Sequence, residues 1–597
     1  MCLAPSVAVP YANKIISMDR KNLFLGLACI AGAMALFFSA KPVAQAPVAA
    51  TPPVAAPVVA GTTAPAAAPA LKANNDIPLA AAQKTILENK HIRATFTSRG
   101  GAIEKVELLQ QPADLSRKST VVFNVGNADA AMALAVVNRA TNQLEPVYSE
   151  FKLVEASARS VSYEGILPDG SKVTRSFTLA EEKEGVEPHS IRFYTKVAPA
   201  APGAIPSRVW FSTGCWQHSQ GDTIHQFLSV LADNGDELSH VNISTFKDSS
   251  GFLGLGAHKA EKEHPIVAAG KPFNWVSSGN HFFASIIRVE AAQRGNRAEL
   301  LARPVKFNET DLGIQAFAYW EGVPAADLSV ITEGDFFVGP KEYARVAALP
   351  DGQVAVLQFS KILGFISFSA ICKLLLACLG GVHALLEWTG SWSWGWAIVL
   401  LTILIKLITW PLTAAQQRSA KKMQQFAGPM KEIREKYKDN SEKMNKEMMK
   451  LYQEHKINPF AGCLPIFIQI PIFFGLYTAF QTTVELRLMP FLWIHDLASP
   501  DTLFHIAGFG FNLLPILMGV TMWLSMRMTP MPSADDTQKI IMYTMAFLFP
   551  VICYALPAAL SLYMTLQNLL QMLQIALTKD PTVVAEVASA KKKKSKG

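Results

Sequence analysis

Long apolar runs dominate the C-terminal third of the chain. Each is free or almost free of charge and approaches the length of about 20 residues with which a helix crosses a bilayer. The last two runs are continuous between residues 540 and 578, and we divide them near Ala558 because one helix of that length is too long for the apolar core. The predicted spans are 394–413, 463–484, 511–527, 540–557 and 559–578.

A further uncharged run, 22–40, predicts a first transmembrane helix after a cytoplasmic N-terminus, residues 1–21. A cleaved signal peptide is the alternative, because Ala44-Gln45-Ala46 has the small-x-small form of a cleavage site. We favour the uncleaved anchor, and translation could begin at Met1 or Met18. Residues 41–75 are rich in alanine and proline, which predicts an extended linker.

Between residues 76 and 350 the pattern changes to short segments that are rich in β-branched and aromatic residues and partly alternate between apolar and polar positions. Examples begin at Lys172, Ser190 and Ile314. Glycine and proline separate the segments, and strongly amphipathic helical patterns do not intervene. This region predicts a large antiparallel β-sandwich.

The run 358–388 is apolar but carries Lys361, Lys373 and Glu387, so it could cross the membrane or lie along its surface. The basic segment 414–456 helps to decide, because its eleven Lys and Arg against six Asp and Glu predict a cytoplasmic position. If the first span places the β-domain outside, only one run before that segment can cross. We therefore predict an amphipathic interfacial helix at 358–388, and six spans with both chain ends in the cytoplasm.

Apolar residues recur at steps of three and four within the region 414–460, in two sets that predict a cytoplasmic helical hairpin. Lys438-Asp439-Asn440-Ser441 separates the sets and offers a turn with a helix N-cap. The basic tail, 579–597, returns to the same side. The methionines of the hairpin are interpreted as packing residues, with a surface for apolar nascent segments as the weaker alternative.

Composition supports a soluble domain joined to a membrane domain: 50% of residues are hydrophobic and 17% are charged. The net charge of +8 lies beside apolar spans, which argues against binding to a specific nucleic-acid sequence. Motifs for nucleotide, zinc, calcium or serine-hydrolase chemistry are lacking, so we predict no enzyme and no cofactor. Cys215, His218 and Asp222 could form a nucleophile site, but we interpret them as a chance grouping.

Lys406 is the most unusual residue, because a lysine at the centre of a spanning helix costs about 2.5–3.5 kcal/mol on insertion scales. It could extend its ammonium group to the cytoplasmic headgroups. Alternatively, Thr402 one turn away, Gln469 in the third span and Gln567 in the last could form a polar hollow around it. An anion site in a transporter or channel is a second function for such a hollow, although the internal repeats of transporters are not found.

Several uncommon motifs occur in an order that resembles the YidC membrane protein insertases, relatives of the mitochondrial oxidase-assembly insertase. The resemblance runs almost without gaps from Gly395 to Leu573, and weaker patches begin at Ser98, His281 and Phe336. The motifs are WPLTAAQ, NPFAGCLPIFIQIPIFFGLY, VELR, PFLWIHDL and LLPILMGVTM.

The resemblance implies a six-helix transmembrane bundle in the inner membrane with a large periplasmic β-supersandwich similar to sugar-binding folds. It implies insertion and chaperoning of nascent membrane proteins, alone or with the Sec translocon and the ribosome, which would bind the basic hairpin and tail. The lipid bilayer is the remaining partner. The implied substrate groove contains Lys406, Thr402, Gln469, Tyr563 and Gln567.

Two positions depart from the family pattern. Lys406 stands where the family usually has arginine, so the charge is kept but the planar bidentate fork is lost. Met564 stands where a second tyrosine is common. For the outer domain alone, a carbohydrate-binding or mutarotase-like role is an alternative, but the sequence offers no convincing acid/base pair there.

Overall fold

The computed structural model describes residues 81–126, 129–138, 140–181, 183, 185–218, 227–249, 258–268, 270–307, 311–359, 369–390, 393–438, 440–455, 464–506, 509–528 and 536–577. The first predicted span, the linker and the basic tail lie outside these residues. Within them, a β-domain precedes an α-helical region.

The β-domain contains three sheets whose strand pairs are all antiparallel among the described residues. The four-stranded sheet has the order β1-β2-β3-β4. The ten-stranded sheet runs β14-β13-β16-β17-β21-β10-β9-β8-β7, with β20 beside β21, and the seven-stranded sheet runs β15-β18-β19-β11-β5-β6, with β12 beside β19. The strand bounds are β1 Lys84–Glu88, β2 Ile92–Thr97, β3 Ala102–Pro112, β4 Thr120–Phe123, β5 Leu134–Val137, β6 Leu144–Pro146, β7 Lys152–Ala156, β8 Ser160–Ile166, β9 Lys172–Leu179, β10 Ser190–Ala198, β11 Trp210–Ser212, β12 Trp216–Gln217, β13 Ser229–Asp233, β14 Leu238–Asn242, β15 His264–Val267, β16 Trp275–Gly279, β17 Phe283–Val289, β18 Ala298–Lys306, β19 Leu312–Trp320, β20 Val323–Pro324 and β21 Val330–Pro340.

Alternating burial along the strands explains how the sheets share one core. In β9 every second residue is buried, as expected for a strand with one face on the core. Buried side chains from the three sheets, among them Phe96, Phe177 and Ile314, belong to the same hydrophobic cluster. The predicted antiparallel β-sandwich is therefore confirmed.

Arg175 of β9 is a charged residue inside this core, with no exposed surface. Its guanidinium donates to the backbone carbonyls of Gly100 and Gly101, at 3.1 and 2.7 Å, and of Met132, at 2.7 Å. Gly100 has a φ of +68°, and a Cβ there would lie 2.6 Å from the Val147 carbonyl oxygen. Arg175 therefore ties the ten-stranded sheet to a tight glycine turn before β3.

The helices follow a short helix, α1 (Tyr343–Ala348), that closes the β-domain. Their bounds are α2 Ser369–Thr389, α3 Trp394–Gln425, α4 Ala427–Lys436, α5 Ser441–Glu454, α6 Leu464–Thr482, α7 Leu513–Met528, α8 Asp536–Ile552 and α9 Ala558–Leu577. A two-stranded hairpin, β22 (Thr502–Ile506) and β23 (Phe509–Asn512), lies between α6 and α7. Helix α9 packs against α3, α6 and α7 and so occupies the centre of this region.

The helix bounds differ from the predicted spans, most of all at α3 and at α8, which runs from Asp536 to Ile552 and not over 540–557. Helix α3 continues to Gln425, well past the predicted end at 413, because alanine, glutamine and lysine extend it with high helix propensity. The hairpin is therefore shorter than 414–460 and consists of α4 and α5. The predicted N-cap is confirmed, since the Asn440 side chain accepts from the Lys443 backbone N–H at 3.0 Å.

Two helices of the described part are long and apolar enough to cross a membrane: Ala370–Thr389 and Trp394–Arg418. The helix Leu513–Met528 is apolar but shorter. The count of six spans therefore stays a prediction. The interfacial placement of 358–388 also stays a prediction, because the described part of that segment satisfies the length and composition of a span.

Two arginines join the β-domain to the loop that follows α6. Arg487 donates to the carbonyls of Pro112 and Ala113 at 2.6 and 2.7 Å. Arg117 of the β-domain in turn donates to the Leu488 carbonyl of the loop, at 3.1 Å. Since the same two segments exchange these bonds, they fix the β-domain against the end of α6.

We expect Arg175→Met to lower the free energy of unfolding by at least about 3 kcal/mol, because three buried carbonyls lose their donor. Pulse proteolysis of the full chain in detergent measures this loss. Arg192→Met is the matched control: Arg192 is half exposed and pairs with Glu290 and Glu333, so it should cost less than about 1 kcal/mol. Equal losses of unfolding free energy in the two variants would contradict the role of Arg175 as the donor to these buried carbonyls.

Glu485 lies directly before this joint, and burial raises the pKa of its carboxyl to about 7; the nearby Glu342 carboxylate also raises this pKa, whereas a backbone hydrogen bond and Arg345 lower it. A carboxyl with a raised pKa contributes most stability when protonated, so its contribution is full below pH 4.5, the unperturbed value, and is lost as the pH rises through 7.

Glu485→Gln should therefore resemble the wild type at pH 5 and unfold at a higher temperature at pH 8. Thermal unfolding of the full chain between pH 5 and 8 tests this. Glu181→Gln, at an exposed ion pair with Lys183, is the control and should show no such gain at pH 8. A constant difference between Glu485→Gln and wild type at all pH values would refute the prediction.

Candidate functional site

Lys406 is buried in the helical region, with 2% of its surface exposed. It lies on α3, and its Nζ donates a hydrogen bond to the Gln571 Oε1 of α9 at 2.5 Å. Neither helix contains Asp or Glu. Within the described residues, the ammonium group is therefore held by a neutral carboxamide and not by a carboxylate.

A second polar pair lies further along the same two helices. Thr413 Oγ1 and the Gln574 carboxamide are hydrogen-bonded at 2.8–3.0 Å, and Gln574 also donates to the Trp410 carbonyl at 3.1 Å. Gln574 has no exposed surface. We call Lys406, Thr413, Gln571 and Gln574 the polar seam.

The helical period explains why these residues meet. Gln571 and Gln574 are three residues apart on α9, and Lys406 and Thr413 are seven apart on α3, so each pair lies on one face of its helix. Facing polar side chains along two apolar helices satisfy each other, since an unpaired polar group in that environment is costly.

The other predicted groove residues are only partly brought together. Gln469 of α6 donates to the Tyr563 hydroxyl at 3.3 Å, which links α6 to α9. The Thr402 hydroxyl is buried and donates to the Ile398 carbonyl of its own helix at 2.7 Å. Thr402 therefore presents a methyl-bearing side chain near Lys406 without a hydrogen bond to the polar seam.

Three buried amide atoms beside the polar seam have no hydrogen-bond partner among the residues whose side chains are described. They are Gln567 Oε1, one turn before Gln571, and the carboxamide of Gln417, one turn after Thr413. Gln417 is 3% exposed. The seam thus continues at both ends into amides that could bind further polar groups.

Sequence reasoning identified Lys406 and Gln567 but missed Gln571, Gln574 and Thr413. The available signal was three glutamines on α9 at intervals of four and three residues in an otherwise apolar run. That spacing marks one polar helix face. The polar face of α9 could therefore have been predicted from the sequence, whereas the helix that packs against it could not.

The grouping of Cys215, His218 and Asp222 carries no nucleophile in the described residues. Cys215 is 2% exposed, and burial raises the pKa of its thiol, which keeps it protonated. His218 pairs with Asp311 at 2.8 Å, and Asp222 lies outside the described residues. No cluster of His, Cys, Asp or Glu that could hold a metal occurs in the part of the chain that is described.

A large antiparallel β-domain joined to apolar helices with a buried lysine defines the class: a membrane protein with a substantial domain outside the bilayer. Comparison with known proteins specifies it further. Residues 384–584 match the family model described as 60Kd inner membrane protein. The membrane protein insertase YidC of Ralstonia nicotianae is 31% identical over 528 residues, which cover 85% of each chain.

The membrane protein insertase YidC of Cupriavidus necator is 30% identical and aligns with 86% of this chain and 85% of its own length. A solved active YidC insertase, with its first transmembrane domain resolved, aligns with 82% of this chain and 91% of its own at 19% identity and a TM-score of 0.31. The chain belongs to the YidC membrane protein insertase family, as the resemblance in its motifs predicts.

Gln574→Leu should destabilise the helical region by about 1 kcal/mol, the usual scale for a polar contact between membrane helices, because it breaks the hydrogen bonds to Thr413 and Trp410 of α3. Thermal unfolding in detergent measures the change. Leu573→Ala is the matched control on the exposed side of α9, where 51% of the leucine surface is accessible. A larger loss in the control would contradict a stabilising role for Gln574.

Proposed function

We propose that this chain inserts proteins into the inner membrane through a polar groove that contains one positive charge. The observation that carries the proposal is the Lys406 ammonium, buried between apolar helices of a YidC family member and bonded to a neutral amide. Its charge is not neutralised by the helices that hold it, so it can act on an entering chain.

The groove would assist the crossing of a hydrophilic tail in two ways. Polar side chains of α3, α6 and α9 shorten the apolar distance that a hydrophilic tail must cross. The fixed charge attracts acidic residues of that tail, and such attraction is stronger in a partly dry site than in water. The apolar segment of the substrate then leaves sideways into lipid. Covalent chemistry and a cofactor are not required, so the protein acts as an insertase rather than an enzyme.

The contacts of α6 support the proposed topology. Helix α6 has 19 residues and therefore spans about 28 Å, close to the apolar thickness of a bilayer. It follows the basic hairpin, and its far end continues into Arg487, which is bonded to the β-domain. The hairpin and the β-domain thus adjoin opposite ends of one helix, as expected for cytoplasmic and periplasmic sides.

The partners follow from these surfaces. The hairpin formed by α4 and α5 is rich in exposed lysines, which suits the ribosome that delivers a nascent chain. Apolar helix faces suit the lipid bilayer and the Sec translocon, and a chaperone role would use the same faces to shelter substrate helices. These assignments extend the family relationship to this chain.

Lys406→Glu should reduce insertion of a small membrane protein with an acidic translocated tail by at least about tenfold, because an attractive charge becomes repulsive. Lys406→Arg should keep most of the activity. The measurement is protease protection of the tail in cells that are depleted of their native insertase.

Lys84→Glu is the matched charge reversal on the exposed surface of the β-domain and should insert like the wild type. Equal activity of Lys406→Glu and Lys406→Arg would refute the electrostatic role. Solute flux in liposomes that depends on Lys406 would instead favour the transporter alternative.

A further inference from the structure

The Lys406 ammonium faces two conflicting requirements. A buried cation must be hydrogen-bonded, because an unsatisfied one is costly. A cation that attracts acidic residues must also keep its charge, and a carboxylate partner within the bundle would cancel it. The structure meets both requirements with Gln571, whose Oε1 accepts from Nζ at 2.5 Å.

Gln571 has the right chemistry for a partner that can be exchanged. Its carboxamide oxygen is a neutral acceptor, so it gives direction to the ammonium without neutralising it. Hydrogen bonds to a carboxylate are stronger than those to a neutral amide. An entering Asp or Glu side chain can therefore displace the amide from the ammonium group.

The neighbouring residues restrict where this exchange can occur. Toward the C-terminal end of α9, the next glutamine, Gln574, is fully buried and already bonded to Thr413. Toward the other end, one turn away, Gln567 Oε1 has no hydrogen-bond partner among the described atoms. Gln571 itself is half-buried. Of the two glutamines that flank Gln571 on α9, only Gln567 thus has a buried acceptor without a partner among the described atoms.

We infer that Gln571 is the positioning residue that holds the Lys406 ammonium within the polar seam and yields it to a carboxylate of the entering polypeptide. This inference rests on the proposed insertase function and adds a residue to it. Without Gln571, the flexible lysine stem would let the ammonium turn to the aqueous end of α3. With a carboxylate at position 571, the charge would be neutralised within the bundle.

The test compares two substrates that differ only in their short translocated tail, which carries two aspartates or two asparagines. The readout is the ratio of inserted acidic-tailed to inserted neutral-tailed protein in cells depleted of the native insertase. Gln571→Glu should bring this ratio close to that of an uncharged groove, a fall of about tenfold or more. Gln571→Leu should lower it at least about twofold. A merely structural role would reduce insertion of both substrates alike.

A second measurement does not depend on insertion. Membrane-permeant amine-reactive labelling of Lys406, read by mass spectrometry on the full chain, should increase in Gln571→Leu because the ammonium is released. Immunoblots of each variant establish equal amounts of protein. If Gln571→Glu fails to accumulate, the ratio and the labelling of Gln571→Leu decide.

Lys406→Glu separates the two hypotheses. If it leaves the ratio at the wild-type value, the proposed electrostatic function fails. If it collapses the ratio while Gln571→Glu or Gln571→Leu keeps the wild-type value, the function stands and the role of Gln571 is overturned. Unchanged labelling of Lys406 in Gln571→Leu would likewise overturn it.

Discussion

The helical region depends on keeping one buried ammonium hydrogen-bonded without cancelling its charge. An ion pair would meet the first need, but removing two charges from water costs several kcal/mol each, and the pair would be neutral toward a substrate. The bond between Lys406 and Gln571 avoids that outcome. It also fixes the rotation of α3 relative to α9, because the two side chains meet only when these faces are opposed. The second pair, Thr413 with Gln574, can form only in the same orientation.

In the core of the β-domain and at the joint, two arginines are likewise bonded to neutral carbonyls. Arg175 in the core and Arg487 at the joint both donate to backbone oxygens, and neither forms an ion pair with a carboxylate among the described residues. The planar guanidinium can reach two carbonyls at once, which a lysine cannot do with fixed geometry. At the joint this means that the two domains are held by directional bonds to the main chain. Such bonds depend on local backbone shape more than on side-chain identity.

Much of the fold could be predicted from the sequence, because burial repeats along it. The alternation in Lys172–Leu179 indicated a strand with one buried face, and the structure has that strand as β9. The turn before α5 was predictable in the same way, since Asn440 caps a helix through a bond to a residue three positions away. The sequence pattern did not indicate how far α3 continues, because it marked where apolar residues stop, whereas the helix continues through polar residues of high propensity.

The candidate site was predictable only in part, for a related reason. The cost of a charged residue is local information, so Lys406 could be identified within its own segment. Its partner is 165 residues away, and the choice between Gln567 and Gln571 depends on how far α9 is shifted along α3. A shift of one helical turn, about 5.4 Å, would exchange these glutamines. Side-chain packing sets that shift, and no periodicity within either helix encodes it. The bond between Gln574 and Thr413 forms in the same register, so the two contacts together define how far α9 is shifted along α3. The position of the charge is therefore set by two contacts that reinforce each other.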